Sequence, residues 1–508
     1  MTNLNNKNKY SKYILLIFLI YTLIHIPVFI FPSLQGQKIW RQADTAAVAR
    51  NFAVESMNIF YPRIDLRGNL SGITGMEFPL FNYLVAIVYK ITGTTWVNFG
   101  KILSYICAVF SVILLAKLVF SPSLISKNYL KENLETNSQI NLNNKFCNPA
   151  LFVLIALLSP FCFRYSAKFM PEFLAMFLSV SSLVLFLSYQ GKQDVFVKKS
   201  NYLILFSSAL LLLLSMLVRP YYAFFGLPLF IRAVLSFYNK KFSESFICIF
   251  IGVFVLSVFY AWYGYWVPYL NKSYGMSYFF MGSSIKENFL SLFSTNIIID
   301  LFKEISHRYL GWVFLPFVLH GIYLYIRKDC SDMDNKINII SVRQIVFIGL
   351  VSLLIIPFLI GKTRDHIYYY GASYPMLMIF CYLSMQNIAD TFPNKKVIVV
   401  FSIIFIIVAG VLTPQIYKRH GYIKALVNKR ADLLKNVGPN DLIITTDGGI
   451  PIDLFVLNRK GWVISLPRNL DERNNMLAHL KSLGAKYMLT PAKGAPNGDF
   501  DTLKMIKL

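Results

Sequence analysis

Long apolar runs dominate the chain, and they recur at about 20 residues, the length of a helix that crosses a bilayer. They fall at roughly 13–32, 98–120, 149–166, 172–189, 201–218, 221–238, 245–266, 311–326, 344–361, 372–386 and 396–413, which predicts about eleven transmembrane helices. One more apolar stretch, Phe78–Ile91, is short. As a span it would reverse everything downstream and put Lys127, Lys131, Lys145, Lys192, Lys198, Lys199, Lys240, Lys241, Arg327 and Lys328 outside. As a helix lying in the outer interface it leaves them all inside, where basic loops belong. The first run, Tyr13–Phe31, is too long for a signal-peptide core and lacks a small-residue cleavage site, so it reads as a retained span with the N-terminus in the cytoplasm.

This topology makes the first outer loop long, from about Pro32 to Val97, and places a second outer segment between Pro268 and Leu310. Everything after Thr413 is expected outside. The pattern changes there: Asp441–Thr446, Gly461–Leu466 and Lys486–Thr490 read as short strands, and Asp471–Leu483 as a helix. Asp447-Gly448-Gly449 reads as a strand-to-helix turn, too short for a nucleotide fingerprint. The expected fold is therefore an all-α polytopic membrane domain over residues 1–413 and a small extracytoplasmic α/β domain over 414–508.

Composition agrees: 56% of the residues are hydrophobic and 15% charged, which excludes a soluble globular protein. The net charge of +25 would suggest nucleic acid in a soluble chain. Here cytoplasmic loops facing anionic membrane lipid account for it, and no basic stripe interleaved with stacking aromatics lies outside the spans. The six cysteines, Cys107, Cys147, Cys162, Cys248, Cys330 and Cys381, are scattered without metal-ligand or disulfide spacing, so no metal and no cofactor is expected.

Charged residues at the outer ends of the spans are the candidates for chemistry, because they are costly there without a partner or a task. Asp44 stands in Trp40-Arg41-Gln42-Ala43-Asp44, just after the first span. Its ordinary reading is an interfacial Asp paired with Arg41 or capping a helix that begins at Thr45; its functional reading is a base at the mouth of a membrane cavity. Glu77 opens Glu77-Phe78-Pro79-Leu80, and Glu172 follows Pro171 at the start of the fourth span; both could be plain helix starts. Cations collect on the same side: Arg164 and Lys168 flank Glu172, Arg219-Pro220 ends the fifth span, and Lys362, Arg364 and His366 precede Tyr368-Tyr369-Tyr370. Outer-face cations run against the usual bias, and together with the tyrosines they suggest a phosphate site at headgroup depth. Snorkelling to headgroups is the plainer account of any one of them.

In order and spacing these residues resemble the GT-C type membrane glycosyltransferases, within the glycosyltransferase family 39 group that holds the protein O-mannosyltransferases and the bacterial aminoarabinose transferases. The resemblance covers roughly Tyr13–Gln386: Asp44 and Glu77-Phe78-Pro79-Leu80 in the first outer loop, Pro171-Glu172, Arg219-Pro220, and Arg364–Pro375 ending in Tyr374-Pro375. Phe78 stands where aminoarabinose transferases carry a Lys, and Asp44-Thr45 where O-mannosyltransferases carry an Asp-Glu pair, so substrate identity does not transfer.

The resemblance implies a bacterial inner-membrane enzyme, a polyprenyl-phosphate-linked sugar donor, and a glycan, lipid or protein acceptor. A lipid phosphate leaves as a stabilised anion, so one base suffices, unlike the paired carboxylates of glycoside hydrolysis. Asp44 is expected as that base, in an inverting attack. Arg219, Lys362, Arg364, His366 and Tyr369 are expected to hold the donor phosphate, and Trp40, Arg41, Glu77, Lys168 and Glu172 to orient substrate. The alternatives are a transporter or flippase of lipid-linked sugars, which predicts ionisable residues at span centres, and a polysaccharide polymerase or ligase.

Overall fold

The computed structural model describes residues 2–31, 33–36, 38–120, 148–190, 199–276, 299, 302–327, 339–359, 367–392, 395–417, 421–446, 451–491 and 503–508. The chain opens with α1 (Thr2–Ile30), followed by two helices of the first outer loop, α2 (Ile39–Val54) and α3 (Leu80–Thr92), and then α4 (Asn98–Phe120). Next come α5 (Pro149–Leu158), α6 (Pro160–Tyr165), α7 (Glu172–Gln190) and α8 (Lys199–Val218). A 3₁₀ turn, Pro220–Gly226, leads into α9 (Leu227–Tyr238); α10 (Phe242–Tyr260) continues through a π turn at Ala261–Trp266 into α11 (Val267–Tyr274). The membrane part closes with α12 (Leu315–Arg327), α13 (Ile339–Leu359), a 3₁₀ turn at Ile367–Ser373, α14 (Tyr374–Thr391) and α15 (Lys395–Tyr417).

Among the described residues six helices are long and apolar enough to cross a membrane. Their outer faces carry large exposed apolar side chains, such as Phe230, Phe250 and Leu354, as a lipid-facing surface requires and a soluble protein would not tolerate. α7 is the hub, packed between α4 and α8, and α14 is buried on all sides over Tyr374–Gln386. Helices come close where side chains are small: a Cβ on Gly321 of α12 would lie 1.9 Å from the Phe380 carbonyl of α14. The stretch expected as one span at 149–166 is two helices, because Pro160 forces Ser159 into an extended conformation (ψ 138°) and α6 restarts with the Ser159 hydroxyl on the Cys162 amide. The 221–238 span likewise begins as a 3₁₀ turn after Pro220. α3, at 13 residues, is too short to cross, in keeping with a helix of the outer loop.

α15 runs past the expected boundary at 413 and hands over to α16 (Gly421–Asn428) and α17 (Arg430–Leu433). The tail then forms β1 (Leu442–Thr445), α18 (Ile452–Leu457), β2 (Gly461–Val463), α19 (Leu470–Ser482), β3 (Ala485–Pro491) and β4 (Leu503–Lys507). The sheet order is β2-β1-β3-β4, with β1 parallel to β2 and β3, and β4 antiparallel on the edge. The expected α/β fold is present; β4, which sequence pattern missed, completes it. Asn469 starts α19 by accepting from the Asp471 and Glu472 amides. Ile443 of β1 is fully buried together with Leu454 and Leu457 of α18, each contributing about 1.5–3 kcal/mol. Asp447-Gly448-Gly449 lies outside the described residues.

Candidate active site at the outer ends of the spans

The site assembles from four segments. α2 is rich in alanine, so α3 packs closely on it, and Asn82 fixes the pair by donating to the Thr45 carbonyl (2.7 Å). The residues just before α3 are pinned to the far end of α8: the Phe78 amide donates to the Leu217 carbonyl (3.0 Å) and the Trp262 indole to the Met76 carbonyl (3.0 Å). Glu77 is thereby held in place rather than in a helix turn. Its carboxylate Oε1 accepts from Arg41 (2.6 Å) and from Arg219 (2.5 Å). Arg219, one residue past α8 and 1% exposed, reaches with its other terminal nitrogen to Oε1 of Glu172 (2.5 Å), the first residue of α7. Arg41, Glu77, Arg219 and Glu172 thus form one alternating chain of charge.

The capping readings of Asp44 and Glu77 give way here. Glu77 precedes α3 by three residues and caps nothing; α2 begins at Ile39, not Thr45, so Asp44 lies inside the helix and not at its cap. Asp44 is 2% exposed and sits three residues beyond Arg41, on the same helix face, where side chains are neighbours. Glu172 does begin a helix, and it also pairs with Arg219.

Burial alone would raise the Glu77 carboxyl, but Arg41 and Arg219 outweigh it and hold the group below its ordinary range. Lys168, in the connector before α7, is 4% exposed with its amine over the Tyr165 ring (4.3 Å). Burial first, then Arg164 and Lys38, push that amine down to about 7 against the pull of Glu172. Among the described residues, Oε2 of Glu77, Oε2 of Glu172, Nε of Arg219 and the Tyr221 hydroxyl are buried with no hydrogen-bond partner.

A tyrosine wall stands beside this chain. The Tyr368 ring faces the Arg219 guanidinium at 5.9 Å and packs on Tyr369 (4.8 Å), which in turn meets Tyr221 (5.5 Å). Of the residues expected from sequence, the structure brings together Arg41, Glu77, Glu172, Arg219 and Tyr369; Asp44 shares the helix of Arg41, and Trp40 is in its first turn. Lys362, Arg364 and His366 lie outside the described residues. Sequence reasoning missed Tyr221 and the close approach of Arg219 to two carboxylates. The Pro220-Tyr221-Tyr222 run beside Arg219 was the available signal.

A second charged cluster joins the tail to the first outer loop. Asp65, 2% exposed, accepts from Arg50 of α2, from Asn51 (3.0 Å) and from Lys460. Glu55 is held by both terminal nitrogens of Arg67. Arg50 also donates to the Phe455 carbonyl (2.9 Å) of α18. The loop backbone joins in: the Arg67 and Gly68 amides donate to the Gly461 carbonyl (3.1 and 2.7 Å), and Leu66 pairs with Gly461 as in a parallel sheet. The tail and the first outer loop therefore lie on the same face.

Helix order, a long first loop bearing two helices, and a charged site at the span ends define a multi-pass membrane protein with the fold of the GT-C type glycosyltransferases. Two solved proteins share the arrangement. One is the archaeal oligosaccharyltransferase AglB from Archaeoglobus fulgidus, in complex with an inhibitory peptide and a dolichol-phosphate. It is 11% identical with a TM-score of 0.54, over 95% of this chain and 69% of that one; its apo form gives 0.53 at 12% identity. The other is ArnT from Cupriavidus metallidurans, bound to undecaprenyl phosphate. It is 9% identical with a TM-score of 0.50, over 94% of this chain and 89% of that one. No family model matches the sequence, and no curated protein matches it.

Proposed function

We propose that this chain is an integral membrane glycosyltransferase. It moves a sugar, with inversion, from a polyprenyl-phosphate donor to an acceptor on the extracytoplasmic face. The observation that carries the reading is the buried run of Arg41, Glu77, Arg219 and Glu172, with Asp44 one helical turn from Arg41, on a fold shared with two proteins that bind polyprenyl phosphates.

Asp44 deprotonates the acceptor, which attacks the anomeric carbon as the phosphate leaves. No acid is required for that leaving group, which is stable as an anion. Arg219 already shares its charge with two carboxylates, so it fixes Glu77 and Glu172 as well as facing the phosphate. The unfilled Oε2 atoms of those carboxylates suit sugar or acceptor hydroxyls, since buried acceptors left unmade are costly. Lys168 takes up a proton as the phosphate arrives, and Lys362, Arg364, His366 and Tyr369 complete the anion site. Metal independence belongs to the same reading: the carboxylates of this site meet guanidinium groups, which already supply positive charge. The tail domain is extracytoplasmic, as its junction with the first outer loop supports; a reporter fused at the C-terminus and active only in the cytoplasm would refute that.

The test is transfer from a panel of radiolabelled polyprenyl-phosphate sugars by the purified protein to cell-envelope acceptors, with Asp44→Asn beside wild type. Transfer that Asp44→Asn abolishes while donor binding persists supports enzyme and base together. Equal transfer removes Asp44 as base, and donor binding without transfer by either protein points to a carrier of lipid-linked sugars.

A further inference from the structure

The tail domain contains a cavity that neither the site nor the junction uses. It has a volume of about 620 Å³ and opens between the segment 429–437 and the edge strand β4. That is the size of a site for an organic ligand, far larger than a single phosphate group needs. Its charge is one-sided: Lys429 contributes from the helical side and Lys504 and Lys507 from the strand, against Asp432 alone. Tyr487, whose hydroxyl donates to the Asn436 carbonyl (2.6 Å), adds an aromatic ring to the lining, and Leu433 an apolar floor.

Lysines on an edge strand commonly serve to prevent strand pairing with another chain. That accounts for Lys504 and Lys507 taken alone. It does not account for Lys429, which comes from another element, nor for a concave surface with an aromatic wall.

The cavity is also placed toward the chemistry. Arg430 follows Lys429, and burial first, then the like charge of Arg50, pushes its guanidinium down. Arg50 lies on α2, and Asp44 is six residues earlier on that helix, about 9 Å along its axis. The helical side of the cavity therefore lies within electrostatic reach of the helix that bears the proposed base.

We infer that this cavity docks an anionic glycan chain, one bearing phosphodiesters or carboxylates, and that this chain is the acceptor in the transfer proposed above, on which the inference rests. The lysines hold its charges, and Tyr487 packs against a sugar ring. A chain rather than a small anion fits both the volume and the separation of the lysines over two elements.

The experiment uses the full-length protein in nanodiscs of neutral phosphatidylcholine, with fluorescently labelled short-chain polyphosphate as the probe and dextran as its neutral counterpart. The inference expects polyphosphate to bind and dextran not to. Lys504→Gln/Lys507→Gln together weaken binding about tenfold and flatten its salt dependence, as fewer ionic contacts require. Lys429→Gln, off the edge strand, acts in the same direction. In transfer assays the double variant raises KM for envelope acceptors and keeps kcat. Unchanged polyphosphate binding in all variants overturns the site, even where transfer is intact. So does binding that appears only when anionic lipid is added to the disc, since the lysines then contact the membrane. Lysine-dependent polyphosphate binding without sugar transfer from any donor supports the docking site and refutes the glycosyltransferase reading instead.

Discussion

Two charge networks, one at the span ends and one at the junction with the tail, differ in how completely their carboxylates are satisfied. At the junction between the first outer loop and the tail, both oxygens of Asp65 and both of Glu55 accept hydrogen bonds. At the span ends, Glu77 and Glu172 each use one oxygen and leave Oε2 buried without a partner among the described residues. Fully satisfied carboxylates hold two parts together, whereas half-satisfied ones keep acceptor capacity at a cost in stability. The contrast separates the joint from the site more firmly than burial does, since Asp65 and Glu172 are about equally hidden.

The contrast breaks most sharply at Arg219. It is the counter-charge for two carboxylates, so Arg219→Met strands Glu172 in the interior. The expected loss is about 3–5 kcal/mol of stability, together with transfer. Thermal melting followed by size-exclusion chromatography measures it; a melting point like wild type means the carboxylates are not held by Arg219. Asp65→Asn comes next. It leaves Arg50 and Lys460 facing a neutral amide, at about 3 kcal/mol, but the expected failure is local. Proteolysis should release the tail while the spans stay folded, and transfer should fall less than in Asp44→Asn.

Sequence pattern revealed these two networks unequally, and physics explains why. The spans were legible because lipid demands long apolar runs, and β1, β2, β3 and α19 because alternation and helical spacing survive in short segments. Glu77, Glu172 and Arg219 could be singled out because charge at a span end is costly. That Arg219 bridges both acids could not be read, since the partners are 142 and 47 residues away. The junction was invisible for the same reason: Lys460 lies 395 residues from Asp65, and a loop rich in charge looks like any solvated loop. The break at Ser159 was written in Pro160 but concealed by apolar residues on both sides. β4 is short, and its two lysines, three residues apart, leave no alternation to read.

The backbone of the junction gives a third test. Gly461 has φ +148°, and a Cβ there would lie 1.8 Å from the Ile443 carbonyl, while its own carbonyl receives the Arg67 and Gly68 amides. Gly461→Ala should cost more than about 1 kcal/mol, and it should loosen the tail without touching any charge. If proteolysis then releases the tail as in Asp65→Asn, the backbone pairing and the ion pairs act as one unit. A tail that stays docked assigns the hold to charge.

The smallest effects are those of pH, and they differ in position between the two networks. Burial opposes ionisation of Asp65, yet Arg50 and Lys460 hold its carboxyl below the ordinary value, and Arg67 and Lys460 do the same for Glu55. A carboxyl depressed in the folded state adds stability above its unfolded value, about 4, and that stability is lost only as pH falls through the depressed one. The tail should therefore stay docked at pH 5 and loosen below about 4, a change that Asp65→Asn abolishes. Fluorescence of Trp462, which packs against Gly68, reports it, with Trp462→Phe as the blank. At the site the sensitive group is Lys168, pushed down to about 7. Its protonated form, the one that holds a phosphate, declines as pH rises past that value, so KM for the donor should climb above about pH 7 while the tail stays docked. Lys168→Arg, charged throughout, should flatten the climb. A donor KM that is level from pH 6 to pH 9 in wild type would remove Lys168 from the phosphate site and leave the anion to the arginines.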